Sequence, residues 1–467
     1  MAITVKLEDG RVLEMQGDPK KTIKEGGSLL GKGGQGAVYK VKDKQSGKCY
    51  ALKTYLKHMS KDFMDNLRKN IINGAPNDSF LWPLGCSETI GSKCDKQGYM
   101  MELYPSSYSS FIKIIKGKAQ FPNKEMQLTA LIDLVDAFEA LHAQGGSYQD
   151  LNDGGIMFDC NKGKVLICDN DNVAPSGVNI PVDDEGHCIQ GKFKYMAPEV
   201  AIGMFQPDKH SDRFSLAVLM FMILCQAHPY DGIKRLEGPL TPKRQAAIYG
   251  TEATFIFHPT DKSNRPDPQM DKNALAAWPT LPDFIQNLFI KTFTSGMPRV
   301  GQKRDQLQVD RQGRASEKEW REALHRWMDS MAECPKCNKS VCPSFENNAI
   351  QRMTCPHCKK DILVERPVFI IKRNGKVVRT IVLEDGKQLP KSSITKEKSN
   401  DPALVVKRSK KAADVYGLEN LLPYQWKCSQ AGAKDRLIGT NETVPAFNGV
   451  YIEFDYEYSG EIVYSRH

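Results

Sequence analysis

The sequence predicts an α+β chain with two unlike lobes, followed by a small metal-stapled segment and an all-β domain. Three observations carry that expectation. Near the N-terminus a glycine-rich turn lies between two strand-like runs, Leu29-Leu30 and Val38 to Val41. Further on, Leu128, Leu131, Ile132, Leu134, Val135, Phe138 and Leu141 recur at helical spacing, and Ser215 to Cys225 is almost wholly apolar. Beyond residue 330 come two Cys-x-x-Cys pairs and then short runs of alternating apolar and polar residues. With 467 residues the chain has material for two or three cores, and its 26% charged and 40% hydrophobic residues are the balance of a globular protein.

The first element is Gly31-Lys-Gly33-Gly-Gln-Gly36-Ala-Val38. Because it joins strand to strand, it cannot be the dinucleotide fingerprint, which joins strand to helix. Glycines at these positions let the backbone turn tightly and approach phosphates where a β-carbon would collide. The short apolar run Cys49 to Leu52 reads as a buried strand, and it ends in Lys53. A helix is expected over Asp62 to Ile72 and another over the Leu128 to Leu141 pattern, ending near Gly145-Gly146. A loop carrying Tyr148-Gln149-Asp150 follows, then the strand-like Val165 to Cys168 and Asp169, which lies 19 residues after Asp150. Ala197-Pro198-Glu199 and the apolar helix from Ser215 complete the series. That helix is too short to cross a bilayer and is bounded by Asp212, Arg213 and His228.

Taken in this order and at these spacings, the motifs resemble the protein kinase domain, from the glycine loop to about Asp329. The resemblance implies a bilobal protein kinase fold using ATP with Mg²⁺ or Mn²⁺. Lys53 would place the α- and β-phosphates, Asp169 would hold the metal, and Asp150 would orient the acceptor hydroxyl. Gly31, Gly33, Gly36, Val38, Ala51, Lys53, Glu102, Leu103, Asn152 and Asp169 become the nucleotide-binding set, with Met101 to Tyr104 as the hinge. Arg314 is expected to pair with Glu199. More narrowly, Cys168-Asp169-Asn170-Asp171-Asn172-Val173, Tyr148 to Gly154 and Asp212 to Ala217 resemble the bacterial kinases of tellurite-resistance-associated triads. That likeness implies a von Willebrand A-type protein and a metal-dependent phosphatase as partners.

Several residues depart from the family pattern. Gln149 replaces the arginine that grips an activation-loop phosphate, Asn152 replaces the usual lysine, and Gly155 stands where a second metal-binding asparagine is usual. Control by phosphorylation of that loop is therefore not expected; Ser176 is the only Ser or Thr between Asp169 and Glu199. Asn152, Asp153 and Asn170 are the candidates for the missing metal oxygen. Asp171, two residues past Asp169, reads as a solvated turn residue, with a metal-facing role as its alternative. No glutamate lies between Lys53 and Glu88, so Asp65 on the Asp62 to Ile72 helix is expected as the partner of Lys53, completing a catalytic set of Asp150, Lys53 and Asp65. A pseudokinase scaffold that binds nucleotide without turnover is the alternative.

Of 13 cysteines, five fall between Cys334 and Cys358. Cys334-Pro-Lys-Cys337 and Cys355-Pro-His-Cys358, with 17 residues between the pairs, predict a four-thiolate structural zinc site. Iron in a rubredoxin-like site and a thiol switch are the alternatives. From Val368 onward alternating strands with a turn at Asn374-Gly375 predict a β-sandwich or barrel. Its Gly417 to Leu421 and Phe447 to Phe454 segments weakly resemble the second half of a forkhead-associated domain, without its Gly-Arg and Ser-x-x-His elements.

The expected divisions are an N-terminal strand segment 1–22, a kinase domain 23–331 with lobes 23–104 and 105–331, a zinc ribbon 332–362 and a β-domain 363–467. The net charge of +9 draws on lysines and arginines after Lys359. Without interleaved aromatics these read as a solvated strand face, and nucleic acid is not an expected partner. A zinc-ribbon nucleic-acid module with a regulatory kinase fold is the second alternative. No signal-peptide pattern or membrane span is read, so a cytoplasmic enzyme acting on a protein substrate is expected, with a small-molecule acceptor still open.

Overall fold

The computed structural model describes residues 3–88, 97–183, 185–188, 191–295, 310–346, 348–397, 399, 401–412 and 415–464. It forms two compact units, one of Met1–Trp278 with Asp283–Arg321 and the other of Pro279–Pro282 with Glu322–His467.

In the first unit an eight-stranded sheet runs Thr4–Lys6, Val12–Met15, Gly36–Asp43, Cys49–Tyr55, Gly98–Met101, Pro83–Cys86, with Asp18–Thr22 and Gly27–Lys32 branching from it. The two ends of that path meet: Leu7 bridges Ser87, Glu8 N–H donates to the Cys86 carbonyl, and Glu88 N–H donates to that of Lys6. The main path of the sheet therefore closes on itself around Val5, Leu7, Leu13, Val41, Leu52 and Met100, with Asp18–Thr22 left as an edge. Strands Thr4–Lys6, Val12–Met15 and Asp18–Thr22, from the expected N-terminal strand segment 1–22, are built into this sheet.

Helix Lys61–Asn73 packs on the sheet through Phe63, Met64, Asn66 and Leu67. Its N-cap Ser60 accepts from Phe63 N–H, and its chain leaves at Gly74 with φ 77°, which glycine adopts without strain. Asn66 and Asn70 each donate to the Val173 carbonyl at 2.8 Å, fastening this helix to the segment after Asp169.

The helical lobe is organised by Lys124–Ala143 and Lys209–Cys225, the latter buried along nearly all its length and capped by Asp208. Its own Phe214 and Phe221 pack edge-on against Phe255, Phe289 and Phe293, and Phe293 in turn tilts against Phe255 and stacks on Phe289. Two buried ion networks tie the lobe together. Arg314 grips Glu199 bidentately at 2.8 and 2.7 Å, the pair expected from the sequence. His142 bridges Asp212 (3.0 Å) and Glu317 (2.9 Å), while Arg213 grips Glu317 with two further bonds. Burial alone would lower the His142 pKa, but the two carboxylates outweigh it and hold the ring charged, with its pKa raised to about 9. None of the helices among the described residues is long and apolar enough to cross a membrane.

The second unit holds the cysteine pairs and the β-domain together. Six antiparallel strands, in the order Lys376–Val382, Val368–Arg373, Tyr458–Val463, Tyr451–Glu453, Trp426–Ser429, Arg436–Ile438, face a four-stranded sheet of Gln388–Pro390, Pro402–Arg408, Tyr416–Asn420, Thr443–Pro445. Their shared core includes Phe369, Ile381, Leu404, Leu418, Trp426 and Ile452. The hairpin at Asn374-Gly375 has φ 49° and 75°, the left-handed pair that a two-residue turn between twisted strands demands.

Candidate active site

Lys53 lies on strand Cys49–Tyr55, directly opposite Tyr99 on Gly98–Met101 and two residues before Tyr55. Strand alternation puts Lys53 and Tyr55 on one face, and the antiparallel register adds Tyr99 to it. Into this face comes the carboxylate of Asp171, delivered by the 3₁₀ turn Asn170–Asn172. Lys53 Nζ donates to both Asp171 oxygens at 2.9 Å and to Asp169 Oδ1 at 3.2 Å. Tyr55 OH (2.8 Å) and Tyr99 OH (3.0 Å) also donate to Asp171. Burial opposes the Lys53 charge, but Asp171 and Asp169 outweigh it and raise its pKa. Burial first, and then the Asp171 charge, raise both phenols well above their ordinary range, so they remain donors.

This arrangement corrects two expectations. Asp65 is not the partner of Lys53: it faces Arg68, at 2.7 Å, and is half-exposed. The buried face of its helix is set by Phe63, Met64, Asn66 and Leu67, and Asp65 falls off that face. Asp171 is not a solvated turn residue, being only 2% exposed. Its missing signal was the pair Tyr55 and Tyr99, polar-tipped side chains in two buried strands that needed an acceptor between them.

Asp169 stands apart from Asp171 in exposure, with 45% of its side chain open. Its backbone takes φ 52° and ψ 43°, left-handed values sparsely populated for a residue with a β-carbon. That twist lets adjacent carboxylates diverge, with Asp171 driven inward and Asp169 left toward solvent.

The loop carrying Asp150 is fixed from below. Asp212 accepts from Tyr148 N–H at 2.8 Å, and Tyr148 OH donates to the carbonyls of Cys168 and Asp169. Tyr148 explains Gly155: a β-carbon there would lie 3.0 Å from the phenol oxygen, so an asparagine at this position would displace it. Asp150 Oδ1 is buried without a hydrogen-bond partner among the described residues. Burial pushes the Asp150 pKa up to about 6, with Asn152 and Lys192 acting in the lowering direction. An unpartnered carboxylate oxygen with that pKa suits a group that accepts a hydrogen bond from an incoming hydroxyl.

Asn152, expected to help hold Mg²⁺, is committed to the loop itself. Its Nδ2 donates to the Asp150 carbonyl and its Oδ1 accepts from Gly154 N–H, both at 2.8 Å. Asn170 turns inward and donates to the Leu81 and Ile167 carbonyls. Asp153 pairs with Lys192 at 2.7 Å. Of the three candidates for a second metal oxygen, Asn152 and Asp153 are engaged elsewhere, while Asn170 Oδ1 accepts no hydrogen bond among the described residues but is fully buried. Gln149 donates to the Val178 carbonyl, so the position of the missing arginine holds a neutral strut.

The glycine turn covers the same cleft. Gly33 N–H donates to the Gly36 carbonyl at 2.8 Å, and the positions where β-carbons would lie on Gly31 and Gly33 face open space. Gly36 instead presses on the next strand, where a β-carbon would come within 2.5 Å of the Thr54 carbonyl oxygen. Below the turn, Ala51 and Met101 belong to one cluster with the half-buried Val38, Leu103, Met157 and Cys168. Val38, Ala51 and Leu103 of the expected nucleotide-binding set thus share one apolar cluster, joined by Met157 and Cys168 from much further along the chain. Glu102 turns outward to Lys48 at 2.7 Å.

The ATP–Mg²⁺ fit is thus partial in a defined way: a buried cation for phosphate, an open carboxylate for one metal and an apolar cluster are present, while Gly155, abutted by Tyr148, offers no side chain to a second metal.

In the second unit, the sulfurs of Cys334, Cys337, Cys355 and Cys358 all lie within 4.8 Å of one another, and Cys337 Sγ is 3.9 Å from Cys355 Sγ. Tetrahedral zinc with Zn–S bonds of about 2.3 Å needs sulfurs roughly 3.8 Å apart. The two knuckles repeat one geometry: each first cysteine accepts on its carbonyl from Asn338 or Lys359 N–H, residues with φ 56° and 60°. Cys342 contacts Ser330 Oγ and His357 Nε2 meets the Ser340 carbonyl, which leaves both outside the cluster.

A family model described as the protein kinase domain matches residues 25–295. The chain belongs to the protein kinase family. It is similar to the serine/threonine-protein kinase sck2 of Schizosaccharomyces pombe, 27% identical over 207 residues, 43% of this chain and 31% of the relative. SCH9 of Candida albicans, also a serine/threonine-protein kinase, is 27% identical over 206 residues, 43% of this chain and 25% of the relative. A probable serine/threonine-protein kinase of Streptomyces coelicolor is 24% identical over 262 residues, 55% of this chain and 37% of the relative. The chain therefore spans about a third or less of the length of these relatives.

Proposed function

We propose that the protein is an ATP-dependent serine/threonine protein kinase that transfers the γ-phosphoryl group to a hydroxyl on a protein substrate. The carrying observation is the pairing of a buried Lys53, locked by Asp171, with an open Asp169 and an unpartnered Asp150 whose pKa is raised to about 6. Lys53 would neutralise phosphate charge in a site that excludes water, and Asp150 would accept the hydrogen bond of the attacking hydroxyl. Mg²⁺, held by Asp169, would supply charge neutralisation at the phosphate oxygens. Because Asn152 is engaged in its own loop and Tyr148 fills the space at Gly155, one protein-held metal is the expectation. The missing second metal ligand favours the second reading, a pseudokinase that binds nucleotide without turnover. Transfer of labelled γ-phosphate to the protein itself and to a generic acceptor decides between them; label present in the wild type and lost in Asp150→Ala and Asp169→Ala supports the kinase.

The four-cysteine cluster is read as a structural zinc ribbon, since its thiolates close a tetrahedron without an open position. The β-sandwich is read as a forkhead-associated-like docking scaffold, with the von Willebrand A-type protein and the metal-dependent phosphatase as partners by family resemblance, testable by co-purification. A bacterial, cytoplasmic signalling role rests on the same resemblance. The nucleic-acid reading loses support because half of the eight basic residues that suggested it are paired, Lys372 with Glu461, Arg373 with Glu457, Arg379 with Asp329 and Lys407 with Glu419.

A further inference from the structure

A groove of about 510 Å³ opens beside the loop that carries Asp150. Two of its wall residues tie it to that carboxylate. Gly191 runs so close that a β-carbon there would be 3.4 Å from Asp150 Oδ1, and Asp153 belongs to the same loop. Its size is that of a site for a bulky side chain and its neighbours.

The lining has two characters. Phe111, Ile112, Ile115, Tyr195 and Met222 supply an apolar surface. Lys116, Lys192 and Lys194 supply three cations against the carboxylates of Asp153 in the lining and Asp231 behind it, a surplus of one positive charge. Lys192 is held to Asp153 and Lys194 to Asp231, each at 2.7 Å, but their side chains are 56% and 39% exposed. Asp153 and Asp231 are themselves only 24% and 18% exposed, so both lysines keep these partners, and their exposed ammonium groups have further donors to offer an incoming carboxylate. A lysine or arginine entering the groove would instead meet a surplus of like charge.

We propose that this groove selects the substrate: it takes the residues flanking the accepting Ser or Thr, and it favours a segment with a large apolar side chain next to acidic ones. The inference rests on the kinase reading of Asp150 and adds to it the chemical class of the substrate. Apolar burial against Ile112, Ile115 and Phe193 supplies affinity, while the lysines set the sign of the charge that is accepted.

The test is a set of Ser/Thr-centred peptides in which flanking positions are varied, incubated with full-length protein and labelled ATP. Acidic-plus-apolar peptides are expected to be phosphorylated with kcat/KM about tenfold above their lysine-substituted counterparts. In Lys116→Glu/Lys194→Glu that ratio is expected to fall to about one or to invert. Ile112→Ser, at a position already 38% exposed, is expected to lower kcat/KM for apolar-bearing peptides while keeping the charge preference. Phosphate transfer with a preference for basic peptides, with no preference, or with a ratio the double variant leaves unmoved, overturns the groove assignment and leaves the kinase reading standing. Transfer confined to a small molecule also overturns it. If no phosphate is transferred to any acceptor, including the protein itself, both readings fall.

Discussion

Replacing Asp171 by asparagine isolates the least expected feature of the site. The carboxylate accepts from Lys53 Nζ through both oxygens and from two tyrosine hydroxyls, and it is only 2% exposed. Asparagine keeps the volume but removes the charge and turns one acceptor into a donor facing an ammonium or a phenol. Losing one partner of a buried ion pair costs about 3–5 kcal/mol. Because Asp169 still lies 3.2 Å from Lys53, the lower end, about 3 kcal/mol, is the expectation. Lys53 would also lose the larger of its two opposing charges, weakening its hold on phosphate. Urea denaturation gives the stability, and calorimetric titration with ATP gives the affinity. Asp65→Asn is the control: its exposed pair with Arg68 is worth about 0–1 kcal/mol. If Asp65→Asn damages ATP binding while Asp171→Asn is silent in both assays, the reasoning is refuted.

Other outcomes follow from the same geometry. The acid limb of kcat/KM should lie near pH 6, because Asp150 must be ionised to accept the hydrogen bond and burial raises its pKa to about 6; a limb near pH 4 would contradict this. His142, raised from 6.5 to about 9, contributes stability that is complete below pH 6.5 and lost as pH rises through about 9. At about 1.4 kcal/mol per pH unit this amounts to roughly 3 kcal/mol, read as a fall in unfolding free energy over that window that His142→Gln removes. Metal analysis should find one zinc per chain, lost in Cys334→Ser and retained in Cys342→Ser and His357→Ala. Gly36→Ala should lower ATP affinity at least tenfold, since its β-carbon would meet the Thr54 carbonyl at 2.5 Å and force the glycine turn outward.

What the sequence made legible was what local spacing encodes. Lys53 ends an apolar strand, Asp150 and Asp169 flank a hairpin, and the cysteine knuckles each fit within one tight turn. The Glu199–Arg314 pair was legible through family resemblance, since those residues are far apart in the chain. What stayed hidden depended on which way a side chain turns. Asp65 and Asn66 are neighbours on one helix, and only the buried stripe of Phe63, Met64 and Leu67 decides that Asn66 faces inward. Asp169 and Asp171 are two residues apart, and the left-handed backbone at Asp169 separates them into an open ligand and a buried anchor. Asn152 looked like a spare oxygen because its bonds to Asp150 and Gly154 are made within the loop, which composition does not display. The N-terminal strands looked like a separate segment because the bridge between Leu7 and Ser87 joins residues 80 positions apart.

The most direct test of the central claim measures ATP affinity and phosphoryl transfer on the same samples of wild type and Asp150→Asn. The account predicts comparable ATP binding in both, with transfer in the wild type and at least a hundredfold less in the variant. Equal binding with no transfer from the wild type would contradict it and identify the chain as a nucleotide-binding scaffold.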